Sequence, residues 1–233
     1  MHLFLVYPLN RDLHADMSSP IAKNLASIQE QVNRACDSVQ RNPAEITLVA
    51  VSKTFSVVDI QAAYDLGLRD FGESKAQELQ TKVHHLPNDI NWHFIGTLQS
   101  NKAKHVAEMS TTIHTIENER QLREIDKQDR TIDGFIQVNI ASESQKSGIL
   151  IESLDTVLSY VLTSHQVRFL GLMTIGPPVQ NPEESRPYFR KLAELNQQAN
   201  GTMLSMGMSN DFDVAIQEGA THIRVGSALF GKR

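Results

Sequence analysis

Ile46-Thr47-Leu48-Val49-Ala50-Val51-Ser52-Lys53-Thr54 opens as a run of β-branched and small apolar residues and stops on a lysine. The run reads as a buried strand, so Lys53 is expected to point into the space above a sheet. A desolvated lysine gives up its proton more readily than a hydrated one, and a neutral amine attacks aldehydes to form Schiff bases. A strand-end lysine can equally reach out to water, so Val51-Ser52-Lys53-Thr54 alone leaves both roles open.

Upstream of this strand, Ile21, Leu25, Ile28, Val32, Ala35 and Val39 keep helical spacing. They predict an amphipathic helix over residues 20–41, opened by Ser19-Pro20 and closed by Asn42-Pro43. Downstream, strand-like runs begin near Asp70, Asn91, Thr112, Gly134, Val167, Thr202 and His222. Stretches that can be helical separate them. Three carry start signals: Ser56 three before Asp59, Asn118 three before Gln121, and Asn181-Pro182 with Glu184 at the third helical position. Leu150, Leu154, Val157, Leu158 and Val161 keep one apolar face, as do Phe212, Ala215 and Ile216.

Strands alternating with helices in one domain imply a parallel sheet, either doubly wound and open or closed as a (β/α)8 TIM barrel. The count of eight, including the run at Ile46, favours the barrel. A doubly wound nucleotide fold would show a Gly-x-Gly-x-x-Gly turn after its first strand, whereas Ser52-Lys53-Thr54-Phe55 follows here. The expected organisation is a loose extension over residues 1–19 and a single barrel over 20–233.

Composition narrows the function classes. The 233 residues are 40% hydrophobic and 21% charged, enough for a large core in a soluble chain. A net charge of -5 with scattered basic residues argues against nucleic acid and anionic membrane as partners. Leu3-Phe4-Leu5-Val6-Tyr7 is too short to span a bilayer and lacks the flanks of a signal peptide, which places the chain in the cytoplasm. The single Cys36 falls on the apolar stripe of the first helix and reads as a core residue in a reducing compartment. Nine histidines, His84-His85 among them, show no metal-ligand spacing, so no metal is expected.

In such a barrel ligands sit where the strands end. Lys53 leaves strand one, Phe71-Gly72-Glu73-Ser74 strand two, and Trp92-His93-Phe94-Ile95-Gly96 strand three. Leu204-Ser205-Met206-Gly207-Met208-Ser209 leaves strand seven, and Arg224-Val225-Gly226-Ser227 strand eight. Ser205, Gly207, Ser209, Gly226 and Ser227 are candidate phosphate donors, because glycine admits close backbone approach and helix N-termini offer free N–H groups. Arg224 shares a strand face with Gly226 and needs an acceptor: a phosphate, an aromatic ring nitrogen, or an inward carboxylate such as Glu73. His93 reads as an interior filler or as an acid or base, and Lys146 as a solvent-facing lysine or one that reaches the ligand mouth.

The motifs taken in order resemble the pyridoxal phosphate homeostasis protein family, which is similar to the N-terminal barrel of alanine racemase. They are Val51-Ser52-Lys53-Thr54, Phe71-Gly72-Glu73, Trp92-His93-Phe94-Ile95-Gly96 with Leu98-Gln99-Ser100-Asn101-Lys102, Gln137-Val138-Asn139-Ile140, Lys146-Ser147-Gly148, Gly171-Leu172-Met173, Leu204-Ser205-Met206-Gly207-Met208-Ser209 and Arg224-Val225-Gly226-Ser227. The resemblance covers the chain from about residue 20 onward. It implies pyridoxal 5′-phosphate held as an internal aldimine on Lys53, with Ser205, Met206, Gly207, Ser209, Gly226 and Ser227 around it and Arg224 near its ring nitrogen or phosphate. It also implies a role in storing, buffering or delivering the cofactor without robust catalysis, hence no catalytic residues. A monomer and recipient apo-enzymes that require the cofactor complete the expectation.

Two points stand beside the resemblance. After Phe71-Gly72-Glu73 the family usually has Asn-Tyr where this chain has Ser74-Lys75, so the contact at Ser74 is expected to be weaker. A single-domain amino-acid racemase using Lys53 and His93 is the alternative. Only seven residues follow Gly226, and Tyr7, Tyr64, Tyr160 and Tyr188 are expected away from the mouth, so a second acid is missing.

Overall fold

Among the described residues, 16–141, 143 and 146–231 of the computed structural model, eight parallel strands close into a barrel in chain order. They are β1 (Thr47–Val51), β2 (Asp70–Glu73), β3 (Asn91–Phe94), β4 (Thr112–Ile116), β5 (Ile132–Gln137), β6 (Val167–Met173), β7 (Met203–Met208) and β8 (His222–Val225). β8 pairs with β1 from Thr47–His222 to Ala50–Val225, which completes the ring. The predicted barrel is the fold. The expectation of a loose segment over 1–19 falls mostly outside the described residues, and Tyr7 lies there too.

Helices cover the outside: α1 (Pro20–Ser38), α2 (Val57–Asp65), α3 (Ala76–Val83), α4 (Ala103–Met109), α5 (Glu119–Ile125), α6 (Leu154–Thr163), α7 (Arg186–Gln198), α8 (Phe212–Gln217) and the single turn α9 (Ser227–Phe230). The helix following β8 is too short to cover its strand. α1 fills that place, packed against α8 and α9, with Asn24 donating to the Leu229 carbonyl. Ala22, Leu25, Ile28, Val32, Ala35 and Cys36 form its buried face.

α1 ends three residues before the predicted 41. Val39 caps it, Gln40 takes a left-handed φ of 56°, and the N–H groups of Gln40 and Arg41 return to Asp37 and Cys36 carbonyls. This is a Schellman end without its usual glycine, so no stop signal is written before Asn42-Pro43. Arg41 then donates to the Ile216 and Ala220 carbonyls, tying the end of α1 to the turn between α8 and β8.

The capping boxes at Ser56/Asp59 and Asn118/Gln121 open α2 and α5 as read from sequence. Asn181 instead accepts from the Glu183 N–H and opens a 3-10 turn over Pro182–Ser185, with α7 starting only at Arg186. Leu150 precedes a 3-10 turn and is exposed, so it does not join the α6 face.

The strands' two-residue period divides the core. Leu48, Ala50, Phe71, Trp92 and Ile113 join one apolar layer between sheet and helices, while Phe135, Leu170 and Met173 form a small cluster of their own. The latter shares the interior with buried polar side chains: His93, His114, His222, Ser205 and Arg224. The barrel interior is therefore mixed in polarity, which matters for the site above it.

Candidate ligand site at the barrel mouth

A pocket of about 700 Å³ opens where the strands end. Lys53, Ser74, Ile95, Ser209, Arg224, Gly226 and Ser227 line it, and the loop Ile175–Val179 after β6 contributes to the lining. Six of the nine residues expected around a ligand thus share one cavity: Lys53, Ser74, Ser209, Arg224, Gly226 and Ser227.

Lys53 stands in the bend after β1, and its two neighbours are pinned. Ser52 is buried, its hydroxyl donating to Glu73 Oε1 at 2.6 Å while its carbonyl accepts from Lys82 Nζ at 2.8 Å. Thr54 holds a left-handed φ of 70° and donates its N–H to Glu78 Oε1. Lys82 Nζ also lies 2.7 Å from Glu73 Oε1 and 2.7 Å from Glu78 Oε1, so one buried ammonium gathers both carboxylates and the Ser52 carbonyl at the bend. Burial pushes the Glu73 carboxyl above its ordinary value, against the pull of Lys82 and Ser52. Burial acts the same way on Glu78, but the hydrogen bonds from Lys82 and Thr54 outweigh it and hold that carboxyl low. The Lys53 amine itself has no hydrogen-bond partner among the described residues.

Arg224 lines the same pocket from β8, the strand paired with β1. It is 4% exposed, donates through Nη1 to Ser205 Oγ at 2.6 Å and through Nη2 to the Thr174 carbonyl at 2.7 Å. Burial lowers its pKa to about 10, with Asp211 opposing, so it remains a cation at neutral pH. Among the described residues no carboxylate forms an ion pair with it. The ion pair with Glu73 considered from sequence does not form, because Glu73 faces outward to Lys82 of α3. A buried cation without a paired anion is costly, and an anionic or acceptor ligand in the pocket would relieve that cost.

The loops after β7 and β8 are joined by Ser209, whose Oγ accepts from the N–H groups of Gly226 and Ala228 at 3.3 and 3.4 Å. Asp211 Oδ1 accepts from the Met208 N–H and its Oδ2 from Ser185. Gly207 has a φ of 88°, and a Cβ there would lie 2.5 Å from the Ala215 Cβ, so the turn needs glycine. Three expected contacts lie elsewhere. Ser205 is fully buried beneath Arg224, Met206 packs into the outer apolar layer, and Gly207 shapes the turn without lining the pocket.

His93 is inside the barrel but away from the mouth, bonded to Asp70 and His114 and lining a cavity at the opposite end. Lys146 is partly buried, reaching Glu143 Oε1 at 2.8 Å and the Gly176 carbonyl at 3.3 Å; its neighbours Ser144 and Gln145 lie outside the described residues. The Tyr64 hydroxyl binds Asp89, and Tyr160 and Tyr188 pack in the outer layer. Among the described residues no helix is long and apolar enough to cross a membrane, and no group of three or more His, Cys, Asp or Glu could hold a metal ion. Sequence reading missed Lys82, Glu78, His114 and Thr174. Lys82 alone left a trace: it lies three after buried Leu79, where a surface helix carries an apolar residue.

Fold and site together define a (β/α)8 barrel of the alanine racemase N-terminal type, with a lysine leaving its first strand. The family described as alanine racemase, N-terminal domain, matches residues 23–233. The chain is 39% identical over 222 residues to the pyridoxal phosphate homeostasis protein of Aquifex aeolicus, covering 91% of this chain and 97% of that protein. It belongs to the pyridoxal phosphate homeostasis protein family. Among solved structures it is similar to PipY of Synechococcus elongatus with PLP bound, at 36% identity and a TM-score of 0.77 over 91% of this chain and 100% of that one. Alanine racemase from Corynebacterium glutamicum shares the fold, with a TM-score of 0.67 at 14% identity over 88% of this chain and 62% of the enzyme.

Proposed function

We propose that this chain binds pyridoxal 5′-phosphate at the barrel mouth, holds it through a Schiff base on Lys53, and stores, buffers or hands on the cofactor without robust turnover. The observation that carries the reading is that an amine without a hydrogen-bond partner among the described residues, Lys53, and a buried Arg224 without an ion pair line one pocket. The cofactor matches it group for group: an aldehyde for the amine, and a phosphate and a basic ring nitrogen for the guanidinium and backbone donors. Condensation joins Lys53 Nζ to the aldehyde carbon and releases water. The N–H groups of Gly226 and Ala228, now turned to Ser209 Oγ, are the donors we assign to phosphate, with Ser209 and Ser227 hydroxyls beside them. Ser74 adds one hydroxyl. When bound, the cofactor supplies an electrophilic carbon and an electron-withdrawing ring. Were Arg224 to meet the ring nitrogen it would not, unlike a carboxylate, keep the ring protonated, and that withdrawal would be weaker.

The described residues lining the pocket include no tyrosine, cysteine or histidine to act as a second acid opposite Lys53. This, and the name its relatives carry, supports a carrier; that it acts as a monomer, with apo-enzymes that need the cofactor as recipients, is part of the same proposal. The purified protein should absorb in the visible and gain one covalent adduct on borohydride reduction, read by intact mass. Lys53→Ala should lose the adduct while keeping its far-ultraviolet circular dichroism; a fully occupied adduct in that variant would overturn the assignment, and a minor one would point to Lys146. Turnover of any common L- or D-amino acid at about 1 s⁻¹ or faster would make the protein an enzyme.

A further inference from the structure

A line of hydrogen bonds crosses the barrel interior from the mouth to its opposite end. Arg224 Nη1 lies 2.6 Å from Ser205 Oγ, which lies 2.7 Å from His114 Nδ1. His114 Nε2 lies 2.9 Å from His93 Nδ1, and His93 Nε2 lies 3.0 Å from Asp70 Oδ1. Ser205 and His114 are fully buried. Arg224 lines the mouth pocket, whereas Asp70 and His93 line a separate cavity of about 510 Å³ at the other end.

The two ends constrain the direction of the bonds between them. A guanidinium only donates and a carboxylate only accepts. Ser205 accepts from Arg224 and, with both rings singly protonated, gives its own hydrogen to His114 Nδ1. His114 then carries its proton on Nε2 and gives it to His93 Nδ1, and His93 gives its Nε2 proton to Asp70. In that arrangement both rings are the Nε2–H tautomer. A proton added to either ring sets two donors face to face, or turns His114 against Ser205 and leaves the serine hydrogen without its acceptor.

The surroundings favour this single arrangement. His222 on β8 sits edge-on to His114 and tilted to His93, and its Nδ1 pairs with Thr221 Oγ1. Phe135 on β5 packs on His114, and Asp133 on β5 is tied up by Arg168 on β6. Burial, then the charges of His93, His222 and Arg224, holds His114 well below the usual imidazole value.

We propose that Ser205, His114 and His93 are positioning residues that hold the Arg224 guanidinium toward the mouth pocket, anchored on Asp70 at the far end of the barrel. The consequence for cofactor binding rests on the function proposed above, but the positioning itself is readable without ligand. In cofactor-free protein labelled with 15N at histidine and arginine, His93 and His114 should both show a bare Nδ1 and a protonated Nε2 at neutral pH. Asp70→Ala removes the anchor at a partly exposed site and should shift the Arg224 guanidinium resonances at the opposite end; Asp70→Asn, which can still accept from His93, should restore them. With pyridoxal phosphate as probe, Asp70→Ala should weaken binding roughly three- to tenfold, the worth of about one hydrogen bond, and Asp70→Asn much less. A protonated Nδ1 on His114, or Arg224 resonances indifferent to Asp70→Ala, would overturn the proposal. If the resonances respond but no variant or parent binds pyridoxal phosphate, the positioning stands and the proposed function fails.

Discussion

Lys82 is 5% exposed, and its ammonium is shared by two carboxylates and a carbonyl on either side of the residue that should react. Replacing it by methionine keeps the length of the side chain but leaves Glu73 buried without its cation, a loss of about 3 kcal/mol. Urea denaturation should show that drop, and the Lys53 bend should loosen, so that pyridoxal phosphate condenses more slowly in stopped-flow absorbance; unchanged stability and rate would deny Lys82 the clamp. Arg224→Gln keeps a donor but loses the fixed charge, and should cost about 1.5–3 kcal/mol, roughly ten- to a hundredfold in cofactor affinity by equilibrium titration. Lys53 and Arg224 were expected at the mouth because each lies at or just past the end of its strand, and both line the pocket. Lys82 and His114 were not legible, since the partners that make them meaningful, Ser52 and Ser205, lie 30 and 91 residues away and meet them only after the barrel closes.

Helix starts were legible at most of the caps, the exception being Asn181, which opens a 3-10 turn ahead of α7. Ser56, Asn118 and Ser19 each accept from the N–H groups that the sequence pattern assigned to them. Ends were harder, because a Schellman turn can be built without glycine when tertiary contacts hold it. At α1 those contacts are the Arg41 bonds to Ile216 and Ala220. They keep Gln40 at a φ that costs a side chain about 1 kcal/mol. Gln40→Gly should therefore raise stability by about 0.5 kcal/mol, the relief of that strain less the extra freedom glycine has when unfolded. A lower urea midpoint in the variant would show that Gln40 earns its conformation through contacts of its own.

At the scale of the whole barrel, eight strand starts were enough to predict the architecture, but not what fills it. Inward residues come from every strand, and only the closed ring brings His93, His114 and His222 together. Their company makes a pH prediction. Burial leads the causes that hold His114 well below the ordinary value of 6.5 and bring His222 to about 3. Unfolding frees both rings to take protons near pH 6.5, so below that pH the unfolded chain binds more protons than the folded one and stability falls. The stabilisation is fully present above pH 6.5 and is lost as pH drops toward 3, at up to about 1.36 kcal/mol per pH unit for each ring. Glu73, held above its usual value, works in the opposite direction over the lower part of that range, and Glu78, held below it, adds to the loss only once the unfolded carboxyl begins to protonate. Urea midpoints should therefore be level between pH 7.5 and 6.5 and decline steadily from pH 6 to 4.5, before most carboxylates titrate. His222→Leu, of similar volume, should flatten that decline by removing one of the two rings. A midpoint that stays level to pH 4.5, or a decline that His222→Leu leaves as steep, would mean that the interior imidazoles accept protons without opposing the fold.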